Sequence, residues 1–221
     1  MVAWELLTWV GTVAFAMSGS ISAMEEEYDI LGVYALGLVT AFGGGIVRNM
    51  LIDADASAYA LWQQGDLLLI ALTASSIVYF VPRLWANYAK TWVFFDAIGL
   101  AAFAIQGALV AAEKQLPLPA IVVAALLTGC GGGVIRDILA RRKPLVFREE
   151  VYGVWAMLAG LAVAMGFGRG GAEMYALFAA LLALRMLSVR LRWRLPKRSF
   201  RAAPGASGFA GPADATIPAD R

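Results

Sequence analysis

The chain has 221 residues, of which 61% are hydrophobic and 15% charged, and its formal net charge is only +2. That balance excludes an ordinary water-soluble domain and offers no basic surface for nucleic acid. With no histidine and one cysteine, Cys130, inside an apolar run, it also excludes imidazole catalysis and a disulfide framework. No enzyme activity, cofactor or bound metal is expected.

A membrane-spanning helix needs about 20 mostly apolar residues. In chain order, charge-free stretches run from Leu6 to Met24, Ile30 to Val47, Leu67 to Pro82, Ala97 to Ala112, Gln115 to Ile135 and Val151 to Gly168. A seventh, Met174 to Trp193, carries Arg185 and Arg190 in its second half, where long side chains can snorkel to the interface. The first run has no basic segment before it and no cleavage site, so it reads as a retained helix. Past Arg201 the chain is rich in Ala, Gly and Pro without periodicity, which predicts a disordered tail.

Basic residues set the expected orientation. Arg83 and Lys90 follow span three, Arg141, Arg142, Lys143 and Arg148 follow span five, and six more follow span seven, from Arg190 to Arg201. All three groups are cytoplasmic if the N-terminus is outside, as the positive-inside bias requires. The acidic run Glu25, Glu26, Glu27, Asp29 then falls on the same inner side.

Sliding the sequence on itself by 88 residues matches Trp4 with Trp92, Gly11 with Gly99, Phe15 with Phe103 and Gly19 with Gly107. The register continues without a gap through Thr40 with Thr128 and Arg48 with Arg136. Each copy holds three spans, an odd number, so the second enters the membrane from the opposite side. The fold class is therefore an all-α integral membrane protein of seven helices with an inverted 3+3 repeat. Its parts are a first repeat over 1–90, a second over 91–170, a seventh helix over 171–200 and the cytoplasmic tail 201–221.

Each repeat carries Thr-x-x-Gly-Gly-Gly-x-x-Arg-[Asn/Asp] in its second span, Thr40 to Asn49 and Thr128 to Asp137. A glycine costs about 1 kcal/mol relative to alanine in a helix interior. Gly43, Gly44 and Gly45, and Gly131, Gly132 and Gly133, therefore mark where the helices are expected to kink or unwind and expose backbone to a polar cavity. Close helix packing is the alternative reading of the same glycines. A buried arginine costs about 2.5 to 3.5 kcal/mol on insertion scales. Arg48 and Arg136 thus face water, a counter-ion or a solute, or else form structural ion pairs.

For Arg136 the ion pair is within reach, from Asp137 and from Asp96 in span four. In the first repeat the matching positions are Asn49 and Thr8, so Arg48 has neither carboxylate and the pathway is electrostatically lopsided. Ser18 and Gln106, which match each other across the repeat, add polar groups, as do the hydroxyls of Thr40 and Thr128. Such hydroxyls commonly bond a carbonyl of their own helix.

At Phe15-Ala-Met-Ser-Gly-Ser, Thr40-Ala-Phe-Gly-Gly-Gly-Ile-Val-Arg and Thr128-Gly-Cys-Gly-Gly-Gly-Val-Ile-Arg-Asp, the chain resembles the prokaryotic trimeric intracellular cation (TRIC) channel family, also described as a glycine-transporter domain. The likeness covers residues 4–193. It implies a homotrimer in the inner membrane, each protomer conducting monovalent cations, potassium or sodium, along the kinked second and fifth spans. Family members usually carry Arg-Asp in both copies, and Arg48-Asn49 departs from that pattern. A transporter for glycine or another small zwitterion, its carboxylate meeting Arg48, is the other function these residues allow.

Overall fold

The computed structural model describes residues 2–52, 65–86, 91–148 and 151–193, and these form helices and turns with no strands among them. The expected tail, Lys90 and the basic residues from Arg194 onward lie outside the described residues. In chain order the helices are α1 (Val2–Glu25), α2 (Ile30–Ile52), α3 (Gly65–Phe80), α4 (Thr91–Glu113), α5 (Leu118–Leu139), α6 (Tyr152–Ala164) and α7 (Gly171–Leu191). Two single turns, Arg83–Ala86 and Leu145–Arg148, intervene. Helices α1, α2, α4, α5 and α7 are long and apolar enough to cross a bilayer. Helices α3 and α6, with 16 and 13 residues, are shorter apolar helices at corresponding places in the two repeats.

Helices run past the charges that bound the apolar stretches. Helix α2 continues through Arg48 to Ile52, α4 begins ahead of Asp96, and α5 carries Arg136 and Asp137 within its last turns. Charge limits a helix only where it meets lipid, and these side chains turn toward protein. The sixth element stops early for a local reason: Gly166 and Gly168 take φ of 97° and 83°, a left-handed region that ends the helix at Ala164. The Glu173 carboxylate then accepts the Gly168 and Gly170 amides at 3.2 and 3.4 Å, starting α7.

The repeat is legible in the packing. Helix α1 ends on Glu27 at φ 58° with Tyr28 N–H donating to Ala23 O at 3.0 Å, and α4 ends on Gln115 at φ 55° with Leu116 N–H donating to Ala111 O at 3.1 Å. Every one of these residues matches its counterpart at the offset of 88. Helices α1 and α4 cross at the centre, where the matched rings of Phe15 and Phe103 face each other with centroids 5.2 Å apart. Around them α2 packs on α1 and α5, and α5 on α4. Helix α6 lies against α4 and α5, α3 against α1 and α2, and α7 leans mainly on α4 and α6.

The glycine triplets do not unwind their helices. Both α2 and α5 are helical throughout. The glycines instead let the two backbones touch: a Cβ on Gly44 would overlap the carbonyl of Thr128, and one on Gly132 the carbonyl of Thr40. A Cβ on Gly131 would lie 2.9 Å from Gly44 Cα, while Gly43 Cβ would meet Ile135 Cδ1 at 2.8 Å. This is small-residue packing between two continuous helices. A second expectation is also corrected. Arg185 does not snorkel outward; it is buried in the protein with its guanidinium 4.8 Å from the centre of the Tyr152 ring.

Candidate functional site

Two polar sites arise from the same motif, one in each repeat. The first surrounds Arg136, whose side chain is fully buried. Nη1 donates to Asp96 Oδ1 at 2.6 Å and to Ser18 Oγ at 2.7 Å. Nε and Nη2 donate to Asp137 Oδ1 at 2.9 and 2.8 Å. The other Asp137 oxygen accepts the Leu145 amide at 2.9 Å, tying the single turn after α5 to the cluster. Trp92 covers the guanidinium at 4.7 Å. Gly133 packs tightly beneath this group, since a Cβ there would lie 3.0 Å from Tyr152 Oη and 3.2 Å from Asp96 Oδ1.

Arg142 closes this end from outside. It pairs with Glu25 at 3.0 Å and Glu26 at 2.6 Å and lies 5.6 Å from the same Trp92 ring. The acidic run after α1 and the basic run after α5 therefore sit together and compensate each other. Tyr28 Oη adds a hydrogen bond to Leu139 O at 2.7 Å.

The second site is a cavity of about 600 Å³ between α1, α2, the start of α3, and α4. Trp4, Thr8, Arg48, Asn49 and Gln106 line it, the counterparts of Trp92, Asp96, Arg136, Asp137 and Ser18. Arg48 uses Nε and Nη2 on Asn49 Oδ1, at 3.0 and 2.8 Å. Gln106 donates to Thr8 Oγ1 at 2.9 Å instead of approaching the arginine, and Thr8 donates to Trp4 O at 2.8 Å. Among the described residues no carboxylate lies within ion-pairing distance of Arg48. Glu5 and Asp66, both exposed, also line the cavity. Among the described residues, a Cβ on Gly45, which corresponds to Gly133, would meet nothing within 4 Å.

The candidates read from sequence thus separate into three places. Gly45, Arg48, Asn49, Gln106 and Thr128 line the cavity. Ser18, Asp96, Gly133, Arg136 and Asp137 form the buried cluster. Gly43, Gly44, Gly131, Gly132 and Thr40 make the α2–α5 crossing. The hydroxyls of Thr40 and Thr128 each bond the carbonyl four residues back, Leu36 O and Ala124 O, at 2.6 Å. Sequence reasoning missed Trp4, Glu5, Asp66, Trp92, Arg142 and Tyr152 as neighbours of the two arginines. The tryptophans were within reach, because Trp4 and Trp92 match in the repeat.

An all-helical, multi-pass membrane protein with matched polar sites in two repeated halves is the class this architecture defines. The chain belongs to the glycine transporter family, whose profile matches once in each half, over residues 5–83 and 93–169. It is 55% identical over 201 residues to the UPF0126 membrane protein YvgT of Bacillus subtilis, covering 90% of this chain and 98% of that one. The inner membrane protein YadS of Escherichia coli K12 is 32% identical over 195 residues, covering 85% and 92%.

Solved structures agree. A prokaryotic TRIC channel crystallised in 0.5 M KCl superposes with a TM-score of 0.79 at 32% identity, covering 87% of this chain and 98% of that one. A TRIC cation channel studied for conductance gives 0.76 at 33%, covering 90% and 98%. The orthologue from Rhodobacter sphaeroides gives 0.75 at 26%, covering 87% and 100%.

Proposed function

We propose that this protein is a homotrimeric channel for monovalent cations, potassium above all, in the cell inner membrane, with one pathway per protomer. The observation that carries this reading is the cavity itself. Its lining includes the exposed carboxylates of Glu5 and Asp66 together with Gly45 and with Thr128, whose carbonyl faces Gly44 at the α2–α5 crossing. Exposed carboxylates at a mouth raise the local cation concentration, and the structural relatives are TRIC cation channels. The N-terminus is outside and the C-terminus cytoplasmic, so the cavity is the outer vestibule and the Arg136 cluster closes the inner half.

Purified protein in liposomes should carry a potassium flux that saturates with concentration, and its mass in mild detergent should be that of three chains. Flux indistinguishable from that of empty liposomes, with folded protein inserted, would rule the channel out. Single cysteines introduced at Glu5 and Arg142, probed with an impermeant thiol reagent on intact cells, read the orientation. Labelling at position 142 in place of position 5 would reverse it.

A further inference from the structure

The end of the molecule at Arg136 is closed in two layers, and they differ in what it costs to part them. The deeper layer is Arg136 with Asp96, Asp137 and Ser18, all buried. Parting a buried guanidinium from its carboxylates leaves charges unpaired out of water, so this layer is fixed. The outer layer is Arg142 with Glu25 and Glu26, which solvent reaches, and an ion pair of that kind parts readily. Trp92 connects the two layers. Its ring centre is 4.7 Å from the Arg136 guanidinium and 5.6 Å from that of Arg142, and the residue is 5% exposed. Its backbone is anchored, because Ser18 Oγ donates to Trp92 O at 3.0 Å, so the indole can turn while the helix start stays in place. Arg142 is seated over the ring by the end of α5, where its N–H donates to Asp137 O at 2.8 Å.

We infer that the indole of Trp92 is a gate over the Arg136 cluster and that the pairing of Arg142 with Glu25 and Glu26 is the latch that holds it shut. When the pair parts, Arg142 leaves the ring, the indole turns about its side-chain bonds, and Ser18 and Arg136 meet the aqueous phase on that side. The latch joins the end of α1 to the segment after α5, so it also registers any separation of those two elements. It is written into one half of the chain only. At the offset of 88, Arg142 matches Ala54 and Glu26 matches Lys114, while Trp4, the match of Trp92, lines the cavity. Attraction between solvent-exposed charges weakens as salt screens it, so ionic strength on this face is the stimulus that opens the gate. The inference rests on the channel reading for its consequence, which is that the open gate admits cations to this half of the pathway.

Opening is measured apart from flux by placing a thiol behind Trp92, as Ser18→Cys in a Cys130→Ala background, and timing its reaction with a small charged thiosulfonate in the purified full chain. The rate should rise severalfold between about 50 mM and 500 mM choline chloride. Adding Glu26→Gln at low salt should raise it up to about fivefold, the most that an exposed pair supplies. Arg142→Glu should raise it further, and Glu26→Arg on top of Arg142→Glu should bring it back, a rescue that packing alone does not give. Trp92→Ala should react fast at every salt concentration. Melting temperatures establish that each variant is folded at the assay temperature. A rate in the folded protein that neither salt nor Glu26→Gln nor Arg142→Glu changes overturns the gate, and a rise that the charge swap fails to reverse overturns the latch. Potassium flux with an unchanging rate leaves the channel and removes the gate. A rate that responds as expected in a chain that conducts no potassium leaves the gate standing and removes the channel.

Discussion

The contrast between the Arg136 cluster and the Arg48 cavity shows how little sequence separates a packed core from an open cavity. The glycines, tryptophan and arginine match in both halves, and the sites differ in Asp96 against Thr8, Asp137 against Asn49 and Ser18 against Gln106. Two carboxylates allow a buried arginine to be desolvated, and the chain then closes over it with Trp92, Tyr152 and the Arg142 pair. In the first half, where both are missing, Arg48 instead borders the cavity. The largest effect follows directly. Arg136→Gln strands Asp96 and Asp137 and should destabilise by about 3–5 kcal/mol, seen as lost yield of folded protein on size-exclusion chromatography. Arg48→Gln should leave that yield near wild type, and equal losses for the two would dissolve the contrast.

The crossing between the halves sharpens the comparison from the side of symmetry. Gly44→Ala and Gly132→Ala each push a methyl into a carbonyl of the facing helix, Thr128 O and Thr40 O respectively. Both should lower stability by about 1–3 kcal/mol, and by similar amounts, because the contacts are reciprocal. Gly45→Ala has space around it and trades a flexible residue for a good helix former, a change of up to about 1 kcal/mol in the stabilising direction. Thermal unfolding of the three variants in one detergent compares them. A Gly45→Ala loss as large as that of Gly44→Ala would mean the cavity is not open at that point.

Much of this was legible in the sequence for a physical reason: the repeat register is a statement about three-dimensional contacts. The match of Thr8 with Asp96 and of Asn49 with Asp137 separates the two arginines without any geometry. Helix ends were less legible. Charge-free stretches stop at Val47 and Ile135, yet α2 and α5 continue to Ile52 and Leu139, because a charge facing protein does not end a span. Glycine composition misled about unwinding, since propensity counts the cost of glycine in an isolated helix and not the backbone contact it permits. The burial of Arg185 against Tyr152 could not be read, because Tyr152 lies in another element and no spacing links the two.

A smaller effect belongs to the ion pair outside the cluster. Arg142 is 20% exposed, and Glu25 and Glu26 are 38% and 35% exposed, so solvent screens most of the attraction. Glu26→Gln should cost under about 1 kcal/mol, and the difference from wild type should shrink between about 50 mM and 1 M salt. Arg142→Gln loses the stacking on Trp92 as well and should cost somewhat more. Melting curves at the two salt concentrations read both. A salt-independent loss at Glu26 would show that the pair is sealed inside the assembly.

The smallest change in stability is expected where the two halves are made most alike. Asn49→Asp restores the residue found in the second repeat, and the geometry is already in place, since Asn49 Oδ1 accepts two donors from Arg48. The new pair faces an open cavity, so its net contribution to stability is at most about 1 kcal/mol. The electrostatic effect is larger than the energetic one, because the variant cancels the positive charge in the vestibule without removing a side chain or altering its shape. Potassium flux in liposomes should therefore rise relative to wild type at equal protein, and the rise should be strongest at low ionic strength, where screening is weakest. Arg48→Gln should move flux in the same direction while losing the side-chain pair. If the two substitutions move flux in opposite directions, charge at Arg48 is not what limits permeation, and the asymmetry between the halves serves packing alone.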